Sequence, residues 1–320
     1  MRSSTSLSQT DVQQARPPAV AAVVVTFNSS SVIEGWVDSF ESAGLRDRVE
    51  LCVVDSGSRP EERQLLRERI GPRVEVLSFE PNRGFGRSCN LGAAKTAAPT
   101  LLFLNPDGRI LSLPARVLGT ALEDGVMLGA VAHELGAPER RRPGAFLHPP
   151  SAYWQANHLL LGRRSETFVR TYEHPAWISG GALLVGRRDF DALGGFAPEI
   201  FLYFEDADLC VRHRARGGTS IVDPEFTVAH PRVGAGSGYR GSLDSINRMS
   251  GRQFVERHEG RTRALLLYAL YLAYYTPRRV LVAIVRRLTG ASKAEPVGSL
   301  ALDLLMPGRV LRRLRASGGG

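Results

Sequence analysis

The chain has 320 residues, of which 43% are hydrophobic and 23% charged, a balance typical of a globular protein and not of a fibrous or disordered one. Its length fits two domains, or one large α/β domain with additions. The net charge of +9 predicts an anionic partner: a phosphorylated substrate, an anionic membrane surface or a nucleic acid. Three scattered cysteines form neither a disulfide framework nor a metal motif, so a reducing compartment is expected.

The first 18 residues are polar and lack the apolar core of a signal peptide, so a disordered lead-in is expected there. No uninterrupted apolar run reaches 18 residues, and no conventional transmembrane helix is predicted. The ordered chain is therefore expected to begin near residue 19.

Apolar, β-branched runs alternate with helical patterns over the first third of the chain. Strands are predicted within 19–27, 48–58, 73–79 and 99–108, and helices within 29–44, 60–70 and 86–98. This alternation is typical of a doubly wound, mostly parallel sheet.

Polar side chains stand where these predicted strands end: Thr26 and Asn28, then Asp55, then Asn105 and Asp107. In a doubly wound sheet, ligands bind beyond the carboxyl ends of the strands. The three groups are therefore expected to meet at one edge, which is the predicted site.

Each of these signals has a structural interpretation as well as a functional one. Asp55 fits a turn or helix cap and a hydrogen-bond acceptor for a nucleobase equally well. Asp107 fits a Pro-Asp-Gly turn, and it also fits a ligand for Mg²⁺ or Mn²⁺ that is shared with substrate phosphates. His230 indicates a metal ligand only if a metal site lies nearby. The Gly-rich stretch 81–90 precedes a helix, as phosphate-binding loops do, but matches no established phosphate motif.

The stretch 200–210, IFLYFEDADLC, sets three carboxylates behind large apolar side chains. Acidic residues favour the first turn of a helix, which is the structural interpretation. The functional one is a general base: a partly desolvated carboxylate beside another carboxylate has a raised proton affinity. Asp206 and Glu205 are the candidates, whereas Asp208 is expected to be structural.

The middle of the chain differs in character. Residues 133–175 are rich in Pro, Gly and Arg and predict a long loop. A strand and a short helix are predicted within 176–196, then a helix from the acidic stretch to about residue 217. Two strands, TSIVD and EFTVAHP, complete this region.

The C-terminal part is apolar and basic. Residues 264–275 are apolar on every side of a predicted helix, Pro277 is expected to interrupt it, and a second apolar run follows. From residue 277 onward the chain has nine Lys or Arg residues and only two acidic residues. This pattern fits an interfacial membrane anchor, and it also fits a helix pair packed on the main domain.

Six motifs taken in order resemble the family 2 glycosyltransferases, and in particular their rhamnosyltransferase-like branch: VVVTFN, VVDSGS, NRGFGRSCNLG, LLFLNPDG, WISGGALLVGRRDFDALGGF and IFLYFEDADLC. The resemblance covers residues 20–235 and implies the GT-A fold. It implies a GT-A domain over 19–240, divided into a nucleotide-sugar half (19–110) and an acceptor half (111–240). A basic, apolar helical extension would follow over 241–320.

The resemblance also implies roles for individual residues. Asp206 is the implied general base, and Asp107 with His230 the implied ligands of Mg²⁺ or Mn²⁺. Glu205, Trp177 and Gly180 are expected to contact the acceptor or to support the base. The implied nucleotide-sugar site consists of Thr26, Asn28, Asp55, Asn82, Gly84, Asn90, Asn105 and Asp107. Asn105 stands where many relatives carry the first Asp of the metal motif, which predicts weaker metal binding.

The activity implied is inverting transfer of a hexose, with dTDP-rhamnose as the expected donor and a lipid-linked or growing glycan as the acceptor. Cell-wall or surface-polysaccharide synthesis is the corresponding process. The enzyme is expected in the cytoplasm, peripheral at the inner face of the cell membrane, without a nucleic-acid partner. Two alternatives remain: a non-catalytic relative acting as a scaffold, and a basic nucleic-acid-binding protein.

Overall fold

A computed structural model describes residues 17–142, 144–161, 174–231, 240–289 and 307–316. The predicted lead-in lies outside these ranges except for Pro17 and Pro18. The strands are β1 (Val20–Thr26), β2 (Val49–Ser56), β3 (Val76–Phe79), β4 (Thr100–Leu104), β5 (Arg109–Ser112), β6 (Val126–Glu134), β7 (Ala137–Arg142), β8 (Ala145–Phe146), β9 (Trp177–Ile178), β10 (Ala182–Gly186) and β11 (Thr219–His230). The helices are α1 (Ser30–Ser42), α2 (Pro60–Ile70), α3 (Phe85–Ala93), α4 (Ala115–Gly119), α5 (Ala152–Leu161), α6 (Arg187–Ala192), α7 (Glu205–Ala215), α8 (Arg240–Glu259), α9 (Arg261–Leu270), α10 (Thr276–Leu288) and α11 (Pro307–Ala316).

A central sheet holds these elements together. Its strands lie in the order β3-β2-β1-β4-β10-β6-β11-β5, and β7 pairs with β6 at one side. Strands β1 to β4, β6 and β11 run in one direction, whereas β10, β5 and β7 run in the other. The sheet is therefore mixed and mostly parallel, as the sequence predicts.

Two apolar cores cover the two faces of this sheet. Every residue of β1 is buried, because its neighbours β2 and β4 flank it and helices cover both sides. On one face α1 contributes Ile33, Trp36 and Phe40, which share one side of that helix. On the other face α3 and the Phe190–Phe196 region pack against the same strands.

Strand β10 determines which loops meet at the site. It lies antiparallel to β4, with Ala182 opposite Leu104, so β10 begins at the edge where β4 ends. The loop that precedes β10 therefore lies beside the polar residues that follow β4. This arrangement brings residues 177–181 to the predicted ligand-binding edge.

Three predictions about the second half of the chain were wrong. The loop predicted over 133–175 contains β7, β8 and α5, although 162–173 lie outside the described residues. The single strand predicted near 176–186 is two strands, because Trp177–Ile178 pairs with β8 and not with the main sheet. The two strands TSIVD and EFTVAHP are one strand, β11, which continues through Pro224 with a shift in register.

Pro277 does not interrupt the C-terminal helix as predicted. Helix α9, a π-helical segment at Tyr271–Tyr275 and α10 follow one another without a break. The wider π turn just before the proline shifts the backbone hydrogen bonds, which accommodates the missing N–H. Ala264 and Leu267 pack against α5 and α8. None of the helices in the described ranges has the length and hydropathy that a bilayer crossing requires.

Candidate active site

The ends of β1 and β2 lie side by side, with Thr26 opposite Asp55. Asp55 is fully buried, and its Oδ1 accepts hydrogen bonds from the Ser58 backbone N–H at 3.2 Å and from the Ser58 hydroxyl. Its Oδ2 lies 3.4 Å from Nε of Arg63 and has no hydrogen-bond partner in the described part of the chain. Burial raises the pKa of Asp55 despite these bonds. The turn-capping interpretation is therefore correct, and one carboxylate oxygen remains for a ligand.

Asn28 ties the two strand ends together. Its backbone takes a left-handed conformation (φ 49°), and its N–H donates to the Ser58 hydroxyl oxygen at 2.8 Å. Its side-chain oxygen accepts from the Arg59 N–H at 3.0 Å. Nearby, the Thr26 hydroxyl is buried and has no partner among the described residues. Thr26, Asn28 and Asp55 thus converge at one edge, as predicted.

The loop 81–84 is held against the chain segment that precedes α7. Asn82 accepts hydrogen bonds from Ser56 at 3.1 Å and from the Gly84 N–H at 2.9 Å. Gly84 has φ 82°, and a Cβ there would collide with the carbonyl oxygen of Phe201. That oxygen accepts a 2.9 Å bond from the Phe85 N–H. Glycine is needed at this position because only it permits both the conformation and the close approach.

Asn90, which the resemblance places in the nucleotide site, also holds a turn of the second half of the chain. Its carboxamide donates to the Phe196 carbonyl oxygen and accepts from the Phe196 N–H, both at 2.9 Å. A ring of two hydrogen bonds to one residue uses a donor and an acceptor of this side chain. We therefore assign Asn90 to the shaping of the pocket, because it fixes the Gly195–Phe196 turn.

Asp107, which follows β4 beside β1, lies next to His230 at the end of β11. Strand β5 pairs antiparallel with β11, with Arg109 opposite Ala229, and this register brings His230 to the turn that holds Asp107. Nε2 of His230 is 3.0 Å from Oδ1 of Asp107, and Nδ1 is 3.1 Å from the Pro231 carbonyl oxygen. The two predicted metal ligands are therefore adjacent.

This pair fits a divalent cation. When Nδ1 donates to the Pro231 carbonyl, Nε2 and the Asp107 carboxylate face each other as two acceptors, which requires a proton or a cation between them. Mg²⁺ and Mn²⁺ need few protein ligands where substrate phosphates complete the coordination. The described ranges contain no cluster of three or more His, Cys, Asp or Glu ligands.

Asp206 is the second residue of α7 and is 9% exposed. Its Oδ2 accepts a 2.8 Å hydrogen bond from the Gly180 N–H, and its Oδ1 accepts a 2.7 Å bond from the Ala207 N–H. Burial raises the pKa of Asp206 to about 6, although both backbone bonds act in the opposite direction. This is the behaviour expected of a general base that works near neutral pH.

Glu205 is buried beside Asp206. Burial and then the charge of Asp206 raise its pKa well above the usual carboxyl value. Its Oε2 has no hydrogen-bond partner in the ranges that the structure describes. The preceding Tyr203 and Phe204 both have left-handed backbones, with φ of 69° and 67°. Such strain in bulky residues is typical of functional sites.

A cavity of about 230 Å³ opens at Asp206. It brings together five residues that the sequence predicts: Asp206, Glu205, Trp177, Gly180 and Asn105. Trp177 stacks on Phe146, with the ring centroids 3.9 Å apart and the rings 13° from coplanar. An aromatic wall next to a carboxylate is a suitable arrangement for holding a sugar ring beside a base.

Two cavity residues, Phe146 and Asn247, lie outside all the motifs singled out in the sequence. Phe146 lies in the stretch predicted to be a loop, where a lone aromatic residue carries no signal. Asn247 lies on α8, outside all six motifs. The only clue to Asn247 is spatial, because α8 packs over the cavity after the chain has left the sheet.

The family model described as glycosyl transferase family 2 matches residues 21–175, which run from β1 past α5. A curated relative, N-acetylglucosaminyl-diphospho-decaprenol L-rhamnosyltransferase of Mycobacterium tuberculosis, is 26% identical over 276 residues, which are 78% of this chain and 88% of that protein. Residues 21–175 therefore form a glycosyl transferase family 2 domain. The predicted family and enzyme class are thereby confirmed, within its rhamnosyltransferase-like branch.

Solved structures confirm the GT-A fold of this glycosyltransferase. GalNAc-T7 with UDP, GalNAc and Mn²⁺ superposes with a TM-score of 0.54 at 17% identity, over 68% of this chain and 45% of that one. The mannosyltransferase PcManGT from Pyrobaculum calidifontis, in complex with GDP-Man and Mn²⁺, gives a TM-score of 0.51 at 16% identity, over 94% of this chain and 85% of that one.

Proposed function

We propose that this glycosyltransferase transfers rhamnose from dTDP-rhamnose to a lipid-linked or growing glycan in cell-wall or surface-polysaccharide synthesis. The single observation that carries the chemistry is Asp206, whose two oxygens are held by backbone N–H groups at the wall of the cavity. The choice of sugar and acceptor is supported by the rhamnosyltransferase relative, which acts on a diphospho-decaprenol substrate according to its name.

The proposed mechanism is a single displacement with inversion at the anomeric carbon. The acceptor sugar lies against Trp177, and Asp206 removes the proton from its attacking hydroxyl. Glu205 is buried beside the base, and its raised pKa disfavours a second negative charge there. Tyr203 and Phe204 limit the access of water to the same cavity, which disfavours hydrolysis of the donor.

The donor occupies the other end of the edge. Oδ2 of Asp55, which has the Arg63 ion pair but no hydrogen bond among the described residues, and the hydroxyl of Thr26 are the groups for the base, and Asn105 faces the transferred sugar. Asp107 and His230 hold Mg²⁺ or Mn²⁺ in this proposal. When bound, such an ion offsets the charge that develops on the departing diphosphate.

The proposed function divides the chain into three parts. Residues 19–110 carry the donor half, 111–240 the acceptor half, and 241–320 the helical extension. The extension also takes part in the acceptor site, since Asn247 lines the cavity. Acceptor preference is therefore proposed to depend on both the second half and the extension.

We place the enzyme at the inner face of the cell membrane as a peripheral protein. Helix α10 leaves Leu281 and Leu288 exposed, at 61% and 81%, together with Ile284 and Val285 on the same side. Apolar faces on a helix of a strongly basic segment favour an anionic lipid surface over a nucleic acid. Flotation with anionic and zwitterionic liposomes tests this, with Leu281→Ser/Leu288→Ser against the exposed β6–β7 turn variant Leu135→Ser. A DNA mobility shift that exceeds liposome binding would refute the membrane assignment.

The decisive test of function is transfer by the purified full chain. The donors are dTDP-rhamnose and a panel of UDP- and GDP-sugars, and the acceptor is a polyprenyl-diphosphate-linked N-acetylglucosamine. Each reaction is run with Mg²⁺, with Mn²⁺ and with EDTA, and the product is identified by mass spectrometry and its anomeric configuration by NMR. Rhamnose transfer with inversion supports the proposal. Transfer of another sugar refutes the proposed donor. Transfer with retention of configuration refutes the proposed mechanism.

A further inference from the structure

Helix α11 packs beside the active site although it lies far outside the family motifs. Its Val310 and Leu314 are buried in one cluster with Phe201 and with Ile246 of α8. Phe27, Leu202 and Tyr203 pack around this cluster. Phe27 directly follows β1 at the donor edge, and Tyr203 lines the cavity at Asp206. The helix therefore contacts segments from both ends of the site.

One aromatic ring connects Arg315 of α11 to the donor loop. The guanidinium carbon of Arg315 lies 5.7 Å from the centre of the Phe201 ring. The same phenylalanine contacts Gly84, where an added Cβ would lie 2.9 Å from Cδ2 of Phe201. Phe201 thus bridges Arg315 and the loop that holds Asn82 and Gly84.

The charge of this helix is unbalanced. Helix α11 carries four arginines and no acid. Arg315 is exposed and lies over the ring of Phe201, which belongs to the segment before α7 and packs against the donor loop. A guanidinium on an aromatic ring is partly desolvated and keeps its planar edge available, which suits bidentate binding of phosphate oxygens.

We propose that Arg315 binds the diphosphate group of a substrate at the mouth of the cleft, and that α11 is the element that supplies this cation. Two diphosphates meet at such a site: that of the nucleotide-sugar donor and that of a lipid-linked acceptor. This inference rests on the proposed function, since it assumes a diphosphate-bearing substrate. It deepens that function by assigning substrate recognition to a helix that the family motifs do not include.

The experiment measures binding of diphosphate probes to the full chain by calorimetry in the presence of Mg²⁺. One arm compares dTDP, UDP and GDP with the corresponding nucleosides, and the other compares farnesyl diphosphate with farnesol. The variants are Arg315→Ala and Arg315→Lys. The matched control is Arg309→Ala, because Arg309 is also exposed on the same helix but lies roughly 120° away around its axis. Thermal unfolding of each variant verifies that the fold is intact.

We expect Arg315→Ala to weaken one diphosphate class roughly tenfold, while Arg309→Ala leaves the affinity unchanged and Arg315→Lys recovers part of it. A loss confined to nucleoside diphosphates assigns Arg315 to the donor, and a loss confined to farnesyl diphosphate assigns it to the acceptor. Unchanged affinity for both classes, an equal loss in Arg309→Ala, or no binding of either class to the unaltered chain overturns the proposal. Failure of rhamnose transfer with this binding pattern intact would refute only the proposed donor.

Discussion

The N–H of Gly180 donates a 2.8 Å hydrogen bond to Oδ2 of Asp206, which joins the loop before β10 to the first turn of α7. The two residues are 26 positions apart in sequence, and their segments meet because α7 lies against β9, where the Ile178 N–H donates to Sγ of Cys210. Because the Gly180 bond and the Ala207 bond fix both carboxylate oxygens, the proposed base is oriented before any substrate binds. Preorganisation of this kind lowers the cost of reaching the reactive geometry.

Asp206→Asn is expected to reduce kcat by about two to four orders of magnitude, the usual contribution of a general base. The carboxamide keeps the size of the side chain and an oxygen for the Gly180 bond, so donor affinity should change little. Steady-state kinetics and calorimetry with the donor measure the two effects separately. The exposed control Asp47→Asn should leave both unaltered, and retained turnover in Asp206→Asn would exclude the assignment.

The pH dependence of kcat/KM should follow the ionisation of Asp206. A base acts in its deprotonated form, and with a pKa of about 6 this form is lost as the pH falls. The rate should therefore be flat above about pH 7 and fall about tenfold per pH unit well below the pKa. A profile that stays flat to the ordinary aspartate range would show that the raised pKa does not govern catalysis. Stability of the enzyme at each pH serves as the control.

Removal of the metal ligands should weaken Mn²⁺ binding. Asp107→Asn and His230→Ala each delete one member of the adjacent pair, and we expect at least a roughly tenfold loss of affinity in the presence of a nucleoside diphosphate. Titration followed by electron paramagnetic resonance reports bound Mn²⁺ without reliance on activity. His133→Ala, in the neighbouring strand β6, is the matched control. Equal Mn²⁺ binding by these variants and the unaltered chain would count against the site.

Asp208 holds α7 to α8. Its carboxylate is fully buried and accepts from Arg212 at 2.8 Å, from His258 at 2.9 Å and from Arg257 at 2.9 Å. Asp208→Asn should lower the free energy of unfolding by about 3 kcal/mol, because it leaves partly buried cations without their anion. Denaturant unfolding measures this loss, with the exposed Asp38→Asn as the control. A change in unfolding free energy below about 1 kcal/mol would show that solvent stabilises these cations when the Asp208 charge is absent.

The same residue predicts how stability depends on pH. Burial alone would raise the pKa of Asp208, but the His258 bond and the charges of Arg212 and Arg257 outweigh it and lower the pKa. Its stabilising contribution is therefore present above the ordinary aspartate pKa and is lost as the pH falls through the lowered folded-state value. Asp208→Asn should flatten this acid-side decline in unfolding free energy. If the decline is unaltered in Asp208→Asn, carboxylates other than Asp208 cause it.

The donor half was predictable from the sequence because its strands are buried on both faces. Continuous apolar runs such as β1 leave little ambiguity, and parallel strands direct their polar ends to one edge. Thr26, Asn28 and Asp55 therefore lie where they were expected. The second half was less predictable, because short strands such as β8 and β9 pair only with each other and carry too few residues for a pattern.

The site residues that belong to recognisable sequence motifs were predictable. Asp206 and the Asp107–His230 pair follow from motif residues, but the register of β5 against β11 that joins the pair is a tertiary property. Asn90 was predicted at the site, but its two hydrogen bonds to the Phe196 backbone cannot be read from its neighbours in sequence. Asn247 carried no signal for the same reason, since packing of α8 alone brings it to the cavity.

Strand β10 has a consequence for how this enzyme diversifies. The connection that leads from β6 to β10 leaves the sheet and returns to it, and both strands remain paired whatever length that connection has. It delivers Phe146 and Trp177 to the cavity, and its last residues also contact the site: the Gly180 N–H donates to Asp206, and the Gly181 carbonyl accepts from the Asn105 N–H. Evolution, or an engineer, can therefore exchange the part of this connection before Gly180 as a cassette, which would change one wall of the cavity while Asp206 and the ends of β1, β2 and β4 stay the same.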